Sequence, residues 1–554
     1  MKIKDFGKRL LAGALAAGMA LSLAACGGSG SGSGSAGQQS QSQTEGQAQG
    51  QPGEKIVNVG VTNTLGTLNP LLMDGGEVNK YATGLMFLPL VELDADLNFE
   101  GMLADSITAE DEKNFLVHID PAAVWSDGKP VTADDVVYTA LKITSPVIGN
   151  TAMMYYAFEG VGDDGFTEQG ADHIEGIVKV DDSTVRFTTK EPMGLATFQN
   201  SYARYLMTLP KHVIEGFSDE ELTSNEWFNH PDVVSGPFMV TDYDQNHYIS
   251  YTANENYFKG APKIDKLNIR IVEGSQLYAG LSSGEIDVAQ QTMSAFPVED
   301  YESVEALEHV EAVYGEPVTN QSVFIRTQNL PDPKVRQALL CAIDRNQILE
   351  QLLKGHGEVV DGFLSSVSPY FDESITPVSY DPERAKSLLE ESGWDSSRTL
   401  KFYVNSGDST FVNAAAIILA QWAAVGVKAE IQTVDFATLM DVAGKGEFDV
   451  LAIQYTYAPV DPYADVAWLL GGEESWTGYT DPAVVDALAQ VPLVNDVEGT
   501  KELYSIVDRK VQEDVPMFSA YVISSLGAVN KRLTGATPTV YGFFNHVEQW
   551  DVTE

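Results

Sequence analysis

Cysteine is nearly absent: 554 residues carry two, Cys26 and Cys341. A disulfide framework is therefore excluded. Basic residues are also scarce, 34 against 79 acidic ones, for a net charge of −45. Such a surface repels phosphate backbones and anionic head groups, so nucleic acid is excluded as a partner. Histidine is sparse: His118, His173, His212, His230, His247, His309, His356 and His546 are scattered, with no two at ligand spacing on one helix. HExxH, GxSxG and paired Cys–His ligands are all missing, so metal-assisted and nucleophilic hydrolysis lack their usual side chains. No enzymatic activity, cofactor or metal is expected. Beyond residue 23 no apolar run is long enough to span a bilayer.

What is present begins with a leader. Lys2, Lys4, Lys8 and Arg9 precede an apolar run, Leu10 to Leu23, and Leu23-Ala24-Ala25-Cys26 closes it. A basic start, a short apolar segment and small residues before the cut are what the secretion machinery reads. The segment resembles a bacterial lipoprotein leader with its lipobox at Leu23 to Cys26. The resemblance implies that Cys26 becomes the lipidated first residue and holds the protein at the extracytoplasmic face of the membrane. Cys341 would then stand alone; it lies in an apolar helical stripe and reads as a buried structural thiol. Residues 27–54 are mostly Gly, Ser, Gln and Ala. They form a flexible tether with a reach on the order of 30 Å.

The rest of the chain is long enough, and at 44% hydrophobic apolar enough, for two or three packed domains. Period-two alternation predicts strands at Ile56 to Val61, Leu267 to Val272, Leu400 to Val404, Ala429 to Val434 and Phe448 to Ile453. Asp332-Pro333 and Asp381-Pro382 predict helix starts, the second helix stopping at Gly393. Thr132 caps another helix, and Phe411 to Val425 reads as a fourth, ended by Gly426. Strands interleaved with helices argue for an α/β fold. No internal repeat occurs.

The stretch from Leu103 to Val137 is the most specific. A strand at Phe115 to Ile119 and a turn at Ser126-Asp127-Gly128 lead to the helix capped by Thr132. Trp125, Asp127, Gly128, Thr132, Ala133, Asp134, Asp135 and Val136 closely resemble the signature of family 5 solute-binding proteins of bacterial ABC importers, the oligopeptide, dipeptide and nickel group. Asp120 stands where that family usually has a basic residue. Further blocks resemble the family in its order: Thr67 to Pro70, Ser235 to Phe238, Asn256 to Gly260, Gly284 to Ala289, Val335 to Arg345, Tyr380 to Ala385 and Gly393-Trp394. The similarity runs from about residue 56 to the C-terminus.

The resemblance implies a two-lobed α/β binding-protein fold of type II, cluster C, with an extra subdomain inserted in the first lobe. Residues 55–80, 212–318 and 527–554 would build lobe I, 81–211 the inserted subdomain and 319–526 lobe II, with crossovers near Thr319 and Leu526. It further implies capture of a peptide by lobe closure and delivery to permease and ATPase subunits, by a monomer that meets the membrane through its lipid. A nickel chelate, another small organic solute, or a peptide-sensing surface receptor are the alternatives.

Ligand contacts are expected where strands end near the hinge. Phe448 to Pro462 is a strand leading into a loop, and the resemblance puts Tyr455 against ligand and Asp461 in the family's acid–Pro pair. Ala458 stands where peptide binders carry the Asp that holds the amino terminus, and no Arg lies between Lys401 and Gln432 to hold a carboxylate. Arg326 stands where the family commonly has Asn, beside the first crossover. It pairs either with a ligand anion or with one of the chain's own acids. Tyr455 and Tyr457 share a face and serve either ligand stacking or core packing. Asp461 before Pro462 is a ligand contact or a turn former. Asn63 and Thr64, after the first strand, are candidate floor residues. Trp394 reads as a core anchor at a helix stop.

Overall fold

Val57, Val59 and Val61 alternate with Asn58 and Gly60 along the strand Ile56–Val61, and all three valines are fully buried. Alternation turns them to one face of a sheet and Gly60 to the other. There a Cβ on Gly60 would stand 2.8 Å from Ile286 and 3.1 Å from Leu277, so glycine is what lets the helix Gly274–Ser283 lie close. The computed structural model describes residues 53–73, 76–153, 155–294, 296–406, 409–473 and 475–553. The leader, Cys26 and tether residues 27–52 lie outside the described residues.

Among the described residues two large sheets carry the fold. The first has seven strands in the order Val310–Tyr314, Leu526–Asn530, Val288–Ala289, Ile56–Val61, Lys266–Ile271, Tyr248–Ala253 and Phe238–Asp244. The second has six, in the order Gly357–Glu358, Met517–Ile523, Thr319–Ile325, Val450–Thr456, Thr399–Asn405 and Lys428–Val434. A four-stranded antiparallel sheet is built from Ala104–Ala109, Asn114–Ile119, Thr184–Thr188 and Ile177–Asp181. Its Phe115, Val117 and Phe187 share one continuous core with Val57, Val59, Leu267 and Ile269 of the seven-stranded sheet.

The second sheet shows the same alternation on both faces. Val323, Phe402, Ala452 and Phe518 face one core and Phe324, Leu451 and Met517 the other. Helices cover each side, which is the packing an α/β sheet requires.

The local signals have direct counterparts. Asp332 accepts from Lys334 N at 2.9 Å and opens Pro333–Cys341; Asp381 accepts from Arg384 N at 2.8 Å and opens Pro382–Glu391. Gly393 ends the latter region in the left-handed conformation, at φ 66°. Thr132 N donates to Asp135 Oδ2 at 2.8 Å in a capping box that opens Ala133–Ile143. Trp125 is fully buried, and Gly128 N donates back to its carbonyl at 2.8 Å in the tight turn. The signature stretch therefore stabilises the fold. Cys341 is buried, and burial pushes its thiol up to about 11, as an inert core residue requires.

Two expectations need correction. The strand predicted at Phe448 to Ile453 is Val450–Thr456. The Phe448 carbonyl accepts from Asn329 Nδ2 at 2.7 Å and the Asp449 carboxylate from Arg398 Nη2 at 2.7 Å, while ladder pairing continues to Thr456 opposite Thr319. Trp394 is only partly buried; it packs on the edge of the second core with the Arg398 guanidinium 5.8 Å from its ring.

Candidate functional site

The two sheets are joined twice, side by side. The chain leaves the first sheet at Tyr314 and enters the second at Thr319, then leaves at Ile523 and returns at Leu526. Gly315 N donates to Ser525 O at 2.9 Å, tying the two connections together.

Strand directions decide what faces this junction. Val288–Ala289 runs antiparallel to Leu526–Asn530, and Ile56–Val61 runs parallel to Val288–Ala289. Ile56–Val61 therefore ends at the junction edge of the first sheet, where Asn63 is half-buried and Thr64 exposed. Val450–Thr456 runs antiparallel to Thr319–Ile325, with Thr456 opposite Thr319. Tyr455 to Asp461 thus leave the second sheet at its own junction edge. The carboxyl ends of strands from both sheets converge there, the arrangement in which α/β sheets bind ligands.

The loop is built on tyrosines and carboxylates. Tyr455 Oη donates to Asp465 Oδ1 at 2.7 Å, and the rings of Tyr455 and Tyr457 stack with centroids 4.7 Å apart. Tyr457 is buried; its hydroxyl shares a hydrogen bond with Ser322 Oγ at 3.2 Å, and its ring packs 5.9 Å from Phe363. Tyr457 is thus a core residue that backs Tyr455. Ser368 Oγ donates to Pro459 O at 2.7 Å and Tyr370 Oη to Val460 O at 3.0 Å, which fixes the loop backbone.

Asp461 is buried and reaches out of its own body. Thr197 Oγ1 donates to its Oδ1 at 2.9 Å, from the short helix Leu195–Phe198 that belongs with the first sheet's core. Asn200, in the π-helical turn Gln199–Ala203, lies near enough to Asp461 to favour its charged form. Burial pushes the Asp461 carboxyl up to about 7, against the lowering pull of Thr197, and Asp465 adds to the rise. Burial likewise pushes Asp465 up to about 6, and the Tyr455 hydroxyl lowers it. A second link runs beside the first: Leu195 N donates to Asn495 Oδ1 at 3.1 Å.

Asn200 is itself oriented from below. Arg204 Nη1 donates to Asn200 Oδ1 at 2.7 Å, and Arg204 Nε to Glu92 Oε1 at 2.6 Å. Glu92 also meets the Lys80 ammonium at 2.5 Å, and all three charged side chains are buried. A guanidinium on the amide oxygen leaves the amide nitrogen of Asn200 to face Asp461.

Arg326 is a correction. It follows Ile325, at the end of its strand away from the junction, about 20 Å from Thr319 at the usual rise per residue. Its Nη1 donates to the carbonyls of Ser475 at 2.7 Å and Trp476 at 3.0 Å. It therefore ties a loop down at the far edge, away from Tyr455 and Asp461, through backbone carbonyls of its own body.

Thr197, Asn200 and Asn495 were not legible as site residues. Nothing in residues 193–204 or 490–497 has a motif's spacing, and the contacts span 264 and 300 positions. Among the described residues no group of three or more His, Cys, Asp or Glu could hold a metal, and no helix is long and apolar enough to cross a membrane.

Two α/β bodies, joined by paired connections and facing each other with their strand ends, define the class of hinged binding proteins. The chain belongs to the bacterial extracellular solute-binding proteins of family 5, whose middle region matches residues 98–476. The oligopeptide-binding protein AppA of Bacillus subtilis is 24% identical over 491 residues, covering 84% of this chain and 86% of AppA. The dipeptide-binding protein of Escherichia coli is 26% identical over 415 residues, 71% of this chain and 74% of its own length. The crystal structure of the ABC transporter substrate-binding protein CtaP of Listeria monocytogenes matches with a TM-score of 0.75 at 22% identity, over 90% of this chain and 100% of that one.

Proposed function

We propose that this protein captures a peptide between two lobes and delivers it, chemically unchanged, to the permease of an ABC importer. Residues 55–80, 212–318 and 527–554 act as lobe I, 81–211 as its inserted subdomain and 319–526 as lobe II, hinged at 315–318 and 524–525. The convergence of strand ends from both sheets on the paired connections carries this reading. The similarity to an oligopeptide-binding and a dipeptide-binding protein supports peptide as the solute.

Tyr455 offers a ring face and Asn63 and Thr64 offer polar groups from the opposite edge, so that closure would bring contacts to the solute from both sides. Tyr457 supports Tyr455 from the core, and Asp461 lies where the bodies meet. The solute shifts the balance further by binding the closed form more tightly than the open one. The protein acts as a monomer without catalysis, held at the extracytoplasmic face by lipid on Cys26 and standing off on the tether. Native mass spectrometry of the purified protein tests this. Retained, intact peptide masses that stabilise the fold on re-addition are expected. Recovery of a covalently altered substrate, or no stabilisation by any peptide pool, contradicts it.

A further inference from the structure

The segment 195–204 makes contacts that peptide binding as such does not need. It is rooted in the first body: Phe198 and Tyr202 are core residues, with Tyr202 4.8 Å from Phe158 and 5.5 Å from Tyr155. Its backbone turns through a π-helix at Gln199–Ala203, a wide turn that recurs at functional positions. From that base it sends two hydrogen bonds to the second body, the Leu195 N–H to Asn495 and the Thr197 hydroxyl to Asp461, with Asn200 placed beside the same carboxylate. The Glu92–Arg204 pair fixes the Asn200 amide from behind.

We propose that this segment is a closure latch: Thr197 and Asn200 capture Asp461, Leu195 captures Asn495, and together they populate the closed form before any solute arrives. The proposal rests on the reading of the protein as a hinged solute binder. Asp461 is then a positioning residue that accepts from Thr197 across the lobes and from the Tyr463 backbone within its own, and solute contact falls to Tyr455 and the opposite strand edge. A latch raises apparent affinity by raising the fraction of binding-competent molecules, without a contact to the solute. Arg204 decides its polarity. With the Asn200 oxygen taken by the guanidinium, the amide nitrogen donates to a carboxylate; an aspartate at 200 would keep Arg204 and repel Asp461.

The test needs no solute. Donor and acceptor dyes on cysteines introduced at the exposed Val180 and Leu493 report lobe separation by single-molecule energy transfer, in the full chain with Cys26→Ala. The wild type should show a closed population. Thr197→Val should lower its closing equilibrium constant about fivefold, the worth of one ordinary hydrogen bond, and Asn200→Ala should lower it by less. Asn200→Asp should lower it further, and more at pH 8 than at pH 5. Asn495→Ala, at an exposed position, gives a variant with little risk to folding and should also open the protein. No closed population in the wild type, or the same closed population in all four variants, overturns the latch. Peptide-dependent thermal stabilisation, measured on the same samples with a tryptic digest of casein, reports on solute capture separately. Persistence of stabilisation alongside unchanged lobe separation would sink the latch alone; its loss in every sample, wild type included, would sink the capture reading alone.

Discussion

The imidazole of His356 lies flat on the phenol ring of Tyr314, with centroids 3.9 Å apart and planes within 9° of parallel. Tyr314 ends the last strand of the first sheet before the chain crosses, and His356 precedes Gly357–Glu358, the edge strand of the second. The stack therefore bridges the two bodies beside both connections. Tyr314 Oη donates to Glu305 Oε1 at 2.7 Å, and Lys354 pairs with Glu302 at 2.8 Å next to it.

His356→Ala should loosen the hinge and leave the lobes intact. A stacked pair is worth about 0.5–1.5 kcal/mol beyond its area, so a broader distribution of lobe separations and a small drop in melting temperature are expected. Small-angle scattering and calorimetry check this; an unaltered distribution would remove the stack from the hinge.

Gln291 is wedged between the two connections. Its Nε2 donates to Val313 O at 3.2 Å and Pro538 O at 3.0 Å. A Cβ on Gly315 would stand 2.7 Å from Gln291 Cγ and 2.8 Å from Val540 Cγ2, and one on Gly527 2.7 Å from Gln291 Nε2. Gly315→Ala should therefore cost about 1–3 kcal/mol by overpacking. Chemical denaturation measures the loss, and the Gly315→Ala, Gln291→Ala double variant should recover part of it.

Acidity should favour closure. Asp461 and Asp465 are pushed up to about 7 and about 6, chiefly by burial. Tyr463 at the start of the helix Tyr463–Leu470, Tyr202 on the π-turn, and Tyr370 and Tyr504 behind the loop all sense the Asp461 charge. A carboxyl whose pKa is raised in the closed, folded form holds its proton more tightly there. The penalty for ionising it is absent below about 4, grows as pH rises, and is complete above about 7. Melting temperatures from pH 4.5 to 8 should fall more steeply in the wild type than in Asp461→Asn. Parallel profiles would contradict the assignment.

Arg326→Ala should leave solute affinity unchanged while destabilising the loop at Ser475 and Trp476. A buried charge-assisted hydrogen bond is worth about 1.5–3 kcal/mol, reduced here by partial exposure. Titration calorimetry with a peptide found in the purified protein, alongside a melting curve, separates the two effects. A loss of affinity without a loss of stability would return Arg326 to the site.

Much of the architecture could be read from local chemistry. Asp332, Asp381 and Thr132 announce helix starts because capping depends on one side chain and the next turn of backbone. The valines of Ile56–Val61 announce a buried strand face because alternation is local as well. The solute-binding family was legible from Trp125 to Val136, a stretch whose role is to fold. The site was harder to read. Tyr455 lies on the identified loop, but the partners of Asp461 sit 264 positions away in a segment without a motif. Arg326 follows the first crossover in sequence but not in space: seven residues of antiparallel strand carry it from one sheet edge to the other.

Capture by hinge closure is tested most directly by small-angle scattering on protein stripped of solute by unfolding and refolding, then titrated with peptide pools. A radius of gyration that shrinks on addition of at least one pool, with a matching rise in melting temperature, is the expected result. An identical radius with and without every pool would contradict the account.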